Sequence, residues 1–310
     1  MDAPLRWGLV GCGRVCQAIH VPALAGAADV AVAFDADPDG ARWVLDLFPD
    51  AVIASDLNEL LAWEPDAVSI CTPNRDHPAA AIAALQRGVA TLCEKPLAAT
   101  VAEARRVVDA AAASDARFAV NLCYRFHPCF ALLRDAVAGA AGPIALELTF
   151  STPGLRLWRP RTSWYGDRTQ AGGGALLDIG IHAFDIVSQL VGDVMVTNCS
   201  VDDPLLEERA QVQLEFERGD GVVHIDRAAR SFALVVSCAT PSGKFSLDFR
   251  RGELSVDGRV QSHDPASFER AAIEAFAASL SGRFAGALPS AEEGLALQVT
   301  IEAAQARAAA

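Results

Sequence analysis

Short, uninterrupted apolar runs alternate with longer helical patterns over the first 122 residues. Each run is too short for a helix and carries almost no internal charge, which is typical of strands buried on both faces of a parallel sheet. Strands that alternate with helices in this way predict a doubly wound α/β domain. The predicted strands cover residues 7–11, 30–35, 67–72, 90–95 and 117–122.

Two of the intervening helical patterns have clear boundaries. One covers residues 78–87, after Asp76 and before Gly88, and the other covers residues 101–113, after Thr100. Thr100 and Glu103 have the spacing of a capping box, in which each residue's side chain satisfies a backbone N–H at the helix start. We therefore expect helices over both ranges.

The pattern changes after Leu122. Apolar and polar residues now alternate, as over 209–218, which predicts strands of an antiparallel sheet with one buried face. Long helices are predicted over 174–191 and 291–308. We divide the chain into an α/β nucleotide-binding domain, residues 1–122, and an α+β domain with a large, mainly antiparallel sheet, residues 123–310. The other alternating segments are 143–152, 221–230, 232–240, 243–249 and 252–258.

The composition describes a folded, acidic protein. Hydrophobic residues make up 52% of the chain, and the formal net charge is −13. Binding to a phosphate backbone needs clustered Lys and Arg, so we expect no nucleic-acid partner. No uncharged apolar stretch reaches the ~18 residues of a membrane span, and the first residues do not read as a signal peptide. We therefore expect neither a membrane partner nor export.

The eight cysteines are dispersed and lie mostly in apolar runs. This usage predicts small core residues in a reducing compartment, so we expect a cytoplasmic protein. No C-x-x-C pair occurs, and the histidines do not cluster at the spacing of metal ligands. We therefore expect no metal site.

The first predicted strand runs into the sequence GCGRVC, which starts at Gly11. It matches G-x-G-x-x-G except that Cys16 stands at the third glycine. Gly11 and Gly13 permit a tight turn that brings backbone N–H groups close to a pyrophosphate, and the third position needs only a small residue. Arg14 and Val15 then lead into a helix beside the cofactor. A plain strand-to-helix turn remains open on this motif alone.

Asp35 ends the second predicted strand, about 20 residues beyond Gly13, where a carboxylate binds the adenosine ribose hydroxyls of a dinucleotide. Ala36 and Asp37 follow, so no adjacent cation is available for a 2′-phosphate. NAD is therefore favoured over NADP. Arg42 is near enough in the sequence to leave NADP open.

With these motifs, the chain resembles the Gfo/Idh/MocA oxidoreductases, a family that includes glucose-fructose oxidoreductase and inositol dehydrogenase. The resemblance implies a Rossmann domain, a C-terminal sheet domain, a nicotinamide cofactor, and a sugar, cyclitol or nucleotide-sugar that reacts at one carbinol carbon. Cys16 and a fairly short C-terminal domain depart from the family pattern. The motifs that carry the resemblance are GLVGCGRV at 8–15, TPNRDHPAAAIAAL at 72–85, CEKPLA at 93–98, RFHP at 125–128 and GGGALLDIGIHAFD at 172–185.

Asp178 and His182 are the first candidates for proton transfer. They are four apart on a predicted helix, which places them on one face. The carboxylate can hold the imidazole in one tautomer, so that His182 accepts the hydroxyl proton as the hydride leaves. The preceding glycines, 172–174, suggest backbone that yields space to a ligand. A purely structural Asp–His pair remains the alternative.

The resemblance assigns Lys95 to the catalytic centre. Lys95 would either relay a proton or, as an ammonium, stabilise the developing alkoxide, with His182 as the direct base. Consecutive strand residues point to opposite faces, so Glu94 is not expected to pair with the Lys95 side chain. The resemblance also implies a cis Lys95–Pro96 bond, and we expect both Glu94 and Lys95 among the cofactor contacts.

The remaining candidates line the predicted cofactor and substrate sites. Thr72, Pro73 and Asn74 follow a strand at the carboxyl edge of the sheet, and the resemblance places them near the nicotinamide ribose. His77 is a further cofactor candidate, although it could simply begin a helix.

A loop rich in Arg and aromatic residues precedes the glycine run. Aromatic rings can stack on a sugar and guanidinium groups can bind carboxylate or phosphate, which predicts a substrate loop. A solvated basic loop is the alternative. The predicted substrate contacts are Lys95, Arg125, Trp164, Tyr165, Asp178 and His182, and the other loop residues considered are Arg156, Trp158, Arg159, Arg161 and Arg168.

These observations predict an NAD-dependent dehydrogenase or reductase that acts on a secondary alcohol or ketone of a sugar, cyclitol or nucleotide-sugar. We expect a homodimer or homotetramer. Two alternatives stay open: an NAD-dependent glycoside hydrolase of the same family, and a cofactor-binding regulator without catalysis.

Overall fold

The structure is a computed structural model that describes residues 4–37, 39–154, 156, 163–264 and 268–309. The chain folds as two compact units, and two segments from its second half belong to the first unit. The first unit comprises Met1–Leu122, Trp158–Gly172 and Glu269–Ala296, and the second comprises Cys123–Leu157, Gly173–Phe268 and Leu297–Ala310.

The first unit contains a six-stranded parallel sheet, which confirms the doubly wound α/β prediction. The strand order is β3-β2-β1-β4-β5-β6, so the direction of winding reverses between β1 and β4, where such sheets bind their ligands. Every residue of β4 and β5 is buried, which explains their uninterrupted apolar sequences. The strands are β1 (Leu5–Val10), β2 (Ala28–Phe34), β3 (Val52–Ile53), β4 (Ala67–Ile70), β5 (Ala90–Cys93) and β6 (Phe118–Val120).

The second unit contains an eight-stranded sheet in the order β14-β13-β12-β11-β7-β10-β9-β8. Among the described strands of this sheet only β7 and β10 pair in parallel, so the predicted mainly antiparallel sheet is confirmed. Buried and exposed residues alternate strictly along β9, as its sequence predicts. The strands are β7 (Ile144–Ser151), β8 (Val194–Val201), β9 (Arg209–Phe216), β10 (Gly219–Asp226), β11 (Ala233–Thr240), β12 (Gly243–Asp248), β13 (Glu253–Val256) and β14 (Arg259–Ser262).

The helices follow local capping signals in part. At the start of α4, the Thr100 hydroxyl accepts the Glu103 amide hydrogen at 3.2 Å and donates to the Glu103 carboxylate at 2.9 Å. Asp76 precedes α3 without capping it through its side chain. The helices are α1 (Val21–Leu24), α2 (Leu57–Ala62), α3 (His77–Gln86), α4 (Val101–Ala112), α5 (Pro128–Gly139), α6 (Arg168–Ala171), α7 (Ala175–Asp178), α8 (Gly180–Val191), α9 (Phe268–Leu280) and α10 (Ala291–Ala308).

The helix predicted over residues 174–191 is not continuous. It breaks at Ile179 into α7 and α8, so the expectation of one long helix is wrong. Glu207 caps the first turn of α7: its carbonyl oxygen accepts the Ala175 amide hydrogen at 2.7 Å, and its carboxylate accepts the Leu176 amide hydrogen at 3.0 Å. A distant residue therefore sets where α7 begins.

The core of the first unit includes a late segment of the chain. The Trp7 ring packs edge-on against Phe276 of α9, with ring centroids 6.0 Å apart. All eight cysteines are buried and free. In the described residues no single helix is long and apolar enough to cross a membrane, although the bent pair Arg168–Asp178 and Gly180–Val191 meets that test by length and composition alone.

Candidate functional site

The turn after β1 depends on Gly11. Its φ is +83°, and a Cβ added there would lie 2.7 Å from the Thr72 nitrogen. The Gly11 amide donates to the Phe34 carbonyl at 2.8 Å. Only glycine therefore allows the ends of β1 and β2 and the segment after β4 to approach this closely.

Gly13 has an open environment. Apart from its chain neighbours, no heavy atom of the described residues lies within 4 Å of a Cβ added there. Its carbonyl accepts the Gln17 amide hydrogen at 3.0 Å, and a π-helical turn, Cys16–His20, follows. Arg14 is exposed and Val15 half-buried, while Cys16 is buried. Open space beside backbone at the start of a helix fits the pyrophosphate of a dinucleotide.

Asp35 is held beside this turn by backbone amides. One carboxylate oxygen accepts the Cys12 amide hydrogen at 2.7 Å, and the other accepts that of Asp37 at 2.9 Å. Each oxygen retains a second lone pair, with which it can accept a ribose hydroxyl. Arg42, the cation that left NADP open, pairs with Asp39 at the surface at 3.2 Å.

The segment after β4 carries the next group of candidates. The Thr72 hydroxyl oxygen is buried and has no hydrogen-bond partner among the described residues. Pro73 is half-buried and precedes a 3-10 turn, Asn74–Asp76. The Asn74 side-chain amide donates to the Ala171 carbonyl at 2.8 Å. Asn74 thus holds α6 in place, and Thr72 is left with an unused donor and acceptor.

His77 is the first residue of α3 and joins two loops. Its Nδ1 lies 2.7 Å from the Pro96 carbonyl oxygen, and its Nε2 lies 2.9 Å from that of Thr72. Burial lowers the pKa of His77, against the raising effect of the two carbonyls. Both ring nitrogens are engaged by the protein, so His77 shapes the site through the loops it joins.

Lys95 follows β5 and is half-buried, and its bond to Pro96 is cis, as the resemblance implies. Glu94 is buried, and its carboxylate lies 2.9 Å from His20 Nε2 and 2.6 Å from Asn121 Nδ2. Burial opposes ionisation, but the hydrogen bonds from His20 and Asn121 lower the pKa of Glu94 to about 2. The Glu94 side chain therefore packs inside the unit. Any contact of Glu94 with a ligand is expected from its backbone and not from its carboxylate.

Sequence reasoning missed His20 and Asn121. Both are buried polar residues; His20 follows the glycine motif, and Asn121 lies inside the predicted strand 117–122. The only local signal was a polar residue at the end of an otherwise apolar stretch. Their shared partner Glu94 lies far away in the chain and could not be assigned from either residue.

In the second unit, Asp178 ends α7 and His182 lies in the first turn of α8. The His182 ring is buried against Tyr124, with ring centroids 4.9 Å apart in an edge-to-face arrangement. The centroid of the Phe150 ring lies 6.3 Å from that of His182. These two aromatic neighbours restrict the orientation of the imidazole.

Arg227 is a third residue that sequence reasoning missed. Its guanidinium is buried, 4.0 Å from the Asp178 carboxylate and 2.9 Å from that of Glu208. Arg227 therefore places positive charge beside Asp178 and keeps this carboxylate at the end of α7. The residue follows β10, in a segment whose alternation indicated only a strand.

The glycines before α7 do not leave room for a ligand at two of their three positions. A Cβ on Gly172 would lie 2.3 Å from the Ala99 carbonyl oxygen, and a Cβ on Gly174 would lie 2.2 Å from that of Glu207. Our reading of this run as ligand space is wrong there. The chain needs glycine because other backbone passes too close for any side chain.

Arg125 forms a bidentate ion pair with Asp185 of α8. Its Nε lies 2.9 and 3.1 Å from the two carboxylate oxygens, and a terminal nitrogen lies 2.6 Å from one of them. The guanidinium is mostly buried. The fork geometry of Arg–carboxylate pairs gives this contact direction as well as energy, so Arg125 anchors the helix that carries His182.

Trp164 and Tyr165 lie in a 3-10 turn, Ser163–Gly166, of the first unit. Their rings pack edge-to-face with centroids 5.3 Å apart, and Trp164 is the more exposed of the two. Arg156 is exposed. The other predicted loop residues Trp158, Arg159 and Arg161 lie outside the described residues.

The candidates therefore form two groups. The glycine turn, Asp35, Thr72 and Lys95 belong to the first unit, and Asp178 and His182 belong to the second. Among the described residues, no group of three or more His, Cys, Asp or Glu side chains could hold a metal ion.

Two family models match this chain. Residues 5–122 match GFO_IDH_MocA, described as "Oxidoreductase family, NAD-binding Rossmann fold", and residues 132–239 match the "GFO/IDH/MocA C-terminal domain". Together the two matches cover well over half of the chain.

Individual relatives are similar over part of their length. D-glucoside 3-dehydrogenase of Escherichia coli (strain K12) is 32% identical over 199 residues, which are 62% of this chain and 55% of that protein. Inositol 2-dehydrogenase of Rhizobium meliloti (strain 1021) is 29% identical over 265 residues, 84% of this chain and 73% of that protein. The chain thus spans only about half the length of several curated relatives it matches.

A solved structure shows the same fold. The inositol dehydrogenase homolog from Azotobacter vinelandii, complexed with NAD+, superimposes with a TM-score of 0.85 at 22% identity. The match covers 100% of this chain and 96% of that one.

Proposed function

Because this chain belongs to the Gfo/Idh/MocA family of oxidoreductases, we propose that it is an NAD-dependent dehydrogenase or reductase acting on a secondary alcohol or ketone of a sugar, cyclitol or nucleotide-sugar. The observation that carries the proposal is the carboxyl edge of the first sheet. There the open space beside Gly13 adjoins a carboxylate, Asp35, held by backbone amides.

The cofactor site would use the backbone around Gly11 and Gly13 for the pyrophosphate and Asp35 for the adenosine ribose. A carboxylate at this position repels a 2′-phosphate, which supports NAD over NADP. The buried Thr72 hydroxyl, which has no partner among the described residues, is suited to a polar group of the nicotinamide half. When bound, the nicotinamide accepts or returns the hydride.

In the reaction, His182 would accept the proton of the substrate hydroxyl as the carbinol carbon is oxidised to a carbonyl. To Asp178 we assign the role of orienting this imidazole once substrate is bound, and the same groups work in reverse for reduction. The restriction of His182 by Tyr124 and the charge of Arg227 beside Asp178 support this assignment. Lys95 hydrogen-bonds the substrate oxygen, as proton relay or as an ammonium that stabilises the alkoxide.

Trp164 and Tyr165 complete the proposed substrate contacts by stacking on the sugar or polyol ring. Arg125 supports the site through its ion pair with Asp185, which orients the helix of His182. We further propose that the protein acts in the cytoplasm as a homodimer or homotetramer. The buried free thiols support a reducing compartment, and light scattering on the purified protein measures the subunit number.

The decisive experiment follows nicotinamide absorbance with NAD or NADP against a panel of sugars, inositols and nucleotide-sugars. We expect NAD-dependent turnover of at least one polyol. Loss of general acid–base help in Lys95→Ala and His182→Ala should lower kcat about 100-fold or more. The NAD Kd should stay within about threefold, because neither residue is needed for the pyrophosphate contacts.

Gly139→Ala is the control, because Gly139 ends α5 with no heavy atom within 4 Å of an added Cβ. Its turnover and NAD affinity should match the wild type. Unchanged turnover in both Lys95→Ala and His182→Ala would contradict the assigned roles. Release of a leaving group without net NADH would instead indicate glycoside hydrolysis, and NAD binding without any turnover would indicate a regulator.

A further inference from the structure

A series of buried polar groups runs beneath the carboxyl edge of the first sheet and ends at the Lys95 backbone. His20 is fully buried, with Nε2 2.9 Å from the Glu94 carboxylate and Nδ1 3.0 Å from the Ser69 hydroxyl oxygen. Trp7 Nε1 donates to the same hydroxyl at 2.9 Å. The network thus connects β1, β4 and β5 with the turn that follows the glycine motif.

Glu94 is the centre of this network and accepts three hydrogen bonds. One carboxylate oxygen accepts from His20 and from Asn121 Nδ2, at 2.9 and 2.6 Å. The other accepts the Lys95 amide hydrogen at 3.2 Å. Two side chains therefore orient the carboxylate, and the oriented carboxylate in turn holds the peptide plane between Glu94 and Lys95.

Each group from Trp7 through Ser69 and His20 donates a hydrogen bond to the next, and Glu94 is the final acceptor. Trp7 can only donate, so the Ser69 oxygen accepts and its own hydrogen is available for Nδ1 of His20. His20 then donates from Nε2 to Glu94. With a proton on Nε2 and none on Nδ1, the His20 ring donates to Glu94 and accepts from Ser69, as judged from the identity of these partners.

A buried polar network of this kind gives little net stability, so its presence suggests a function other than stabilisation. Desolvation of a buried carboxylate costs several kcal/mol, and a well-packed apolar residue is often at least as stabilising. The neighbours Cys93 and Leu97 are apolar and fully buried. An apolar residue at position 94 would suit this environment, but it could not accept the Lys95 amide hydrogen.

We propose that His20 and Asn121 are positioning residues for Lys95. They orient the Glu94 carboxylate, which fixes the peptide plane at Lys95 and so the direction in which its side chain leaves the end of β5. This inference rests on the proposed role of Lys95 in the reaction, and it adds two residues that do not themselves touch the substrate.

The test compares His20→Leu with His20→Gln. Leucine removes both hydrogen bonds, whereas the amide of glutamine can donate to Glu94 and accept from Ser69. In His20→Leu we expect at least about tenfold faster hydrogen exchange at the Lys95 amide. We also expect kcat to fall about 10- to 100-fold, because small misplacements of a reacting group are costly. NAD Kd should stay within about threefold, and His20→Gln should recover most of kcat.

Thr91→Val is the matched control. Thr91 is buried on the same strand, β5, and its hydroxyl donates to the Val89 carbonyl at 3.0 Å, away from the network. This variant loses a buried hydrogen bond, yet Lys95 amide exchange and kcat should remain at wild-type values. It therefore separates a positioning effect from general destabilisation.

Two results would overturn the inference. Unchanged exchange of the Lys95 amide in His20→Leu would show that the network does not hold this peptide. Faster exchange with unchanged kcat would show that the held peptide does not matter for the reaction. Absence of turnover in the wild type would contradict the proposed function and the expected effect of His20 on kcat. The exchange measurement needs no substrate, so it would still decide whether His20 holds the Lys95 peptide.

Discussion

Replacement of Glu94 by glutamine should remove the part of the acid-induced loss of unfolding free energy that comes from protonation of Glu94. The pKa of Glu94 is lowered from 4.5 to about 2 in the folded protein, despite the opposing effect of burial. The unfolded chain therefore binds this proton at higher pH than the folded protein does. The resulting stabilisation is fully present above pH 4.5 and is lost as the pH falls through the folded pKa.

The size of the effect follows from the shift. At about 1.4 kcal/mol per pKa unit, the full contribution is about 3 kcal/mol. Between about pH 5.5 and about pH 3.5, the wild type should lose about 1 kcal/mol of unfolding free energy through Glu94 alone. Other carboxylates titrate in both proteins, so they cancel in the difference between the wild type and Glu94→Gln.

The assay is urea denaturation of both proteins at these two pH values, followed by tryptophan fluorescence. Glu94→Gln should be less stable than the wild type near neutral pH, because the amide cannot accept from all three donors. The difference in unfolding free energy between the two proteins should narrow by about 1 kcal/mol at the lower pH. Asp39→Asn, which removes an exposed ion pair with Arg42, should show no such narrowing. A gap that is the same at both pH values would refute the buried, ionised state of Glu94.

Three further predictions follow from the same geometry. Gly13→Ala should leave the thermal midpoint of unfolding unchanged and weaken NAD binding at least about tenfold, as measured by calorimetry. Gly11→Ala should also destabilise the fold, because its Cβ would lie 2.7 Å from backbone. An NAD affinity of Gly13→Ala equal to that of the wild type would contradict the placement of the pyrophosphate. Arg227→Met should lower the unfolding free energy by about 1–3 kcal/mol, because the partly exposed Glu208 carboxylate then loses a charge-assisted hydrogen bond. An unchanged unfolding free energy in urea would count against this account. Unfolded His77 binds a proton at higher pH than folded His77, so the unfolding free energy should fall as the pH drops through about 6.5. If the unfolding free energy of His77→Gln changed with pH as steeply as that of the wild type in this range, His77 would be excluded as the cause.

Much of the fold could be predicted because its signals are local. Strands β4 and β5 appear as apolar runs because both of their faces are buried, and β9 alternates because one of its faces is exposed. The capping box of Thr100 lies within four residues, and α10 occupies the range that its pattern predicted. Short or exposed strands, such as β3 and β14, carry too little pattern to be recognised.

The candidate site could be predicted only as a set of residues. The motifs identified Gly11, Asp35 and Lys95, because a turn, a strand end and an X-Pro step are local features. They did not indicate that Glu94 faces His20, 74 positions away in the sequence. Contact between two such distant residues depends on which strands become neighbours in the sheet.

Local sequence patterns therefore predicted the two kinds of sheet and the ranges of α3, α4 and α10, and they supplied the candidate side chains of the site. Tertiary structure alone decided that the helix before His182 breaks at Ile179, that Glu207 caps α7, and that Arg227 lies against Asp178. The physical reason is the range of the interactions. Burial patterns and caps act over a few residues, whereas the partners of a buried charge come from distant segments that meet only after the chain has folded.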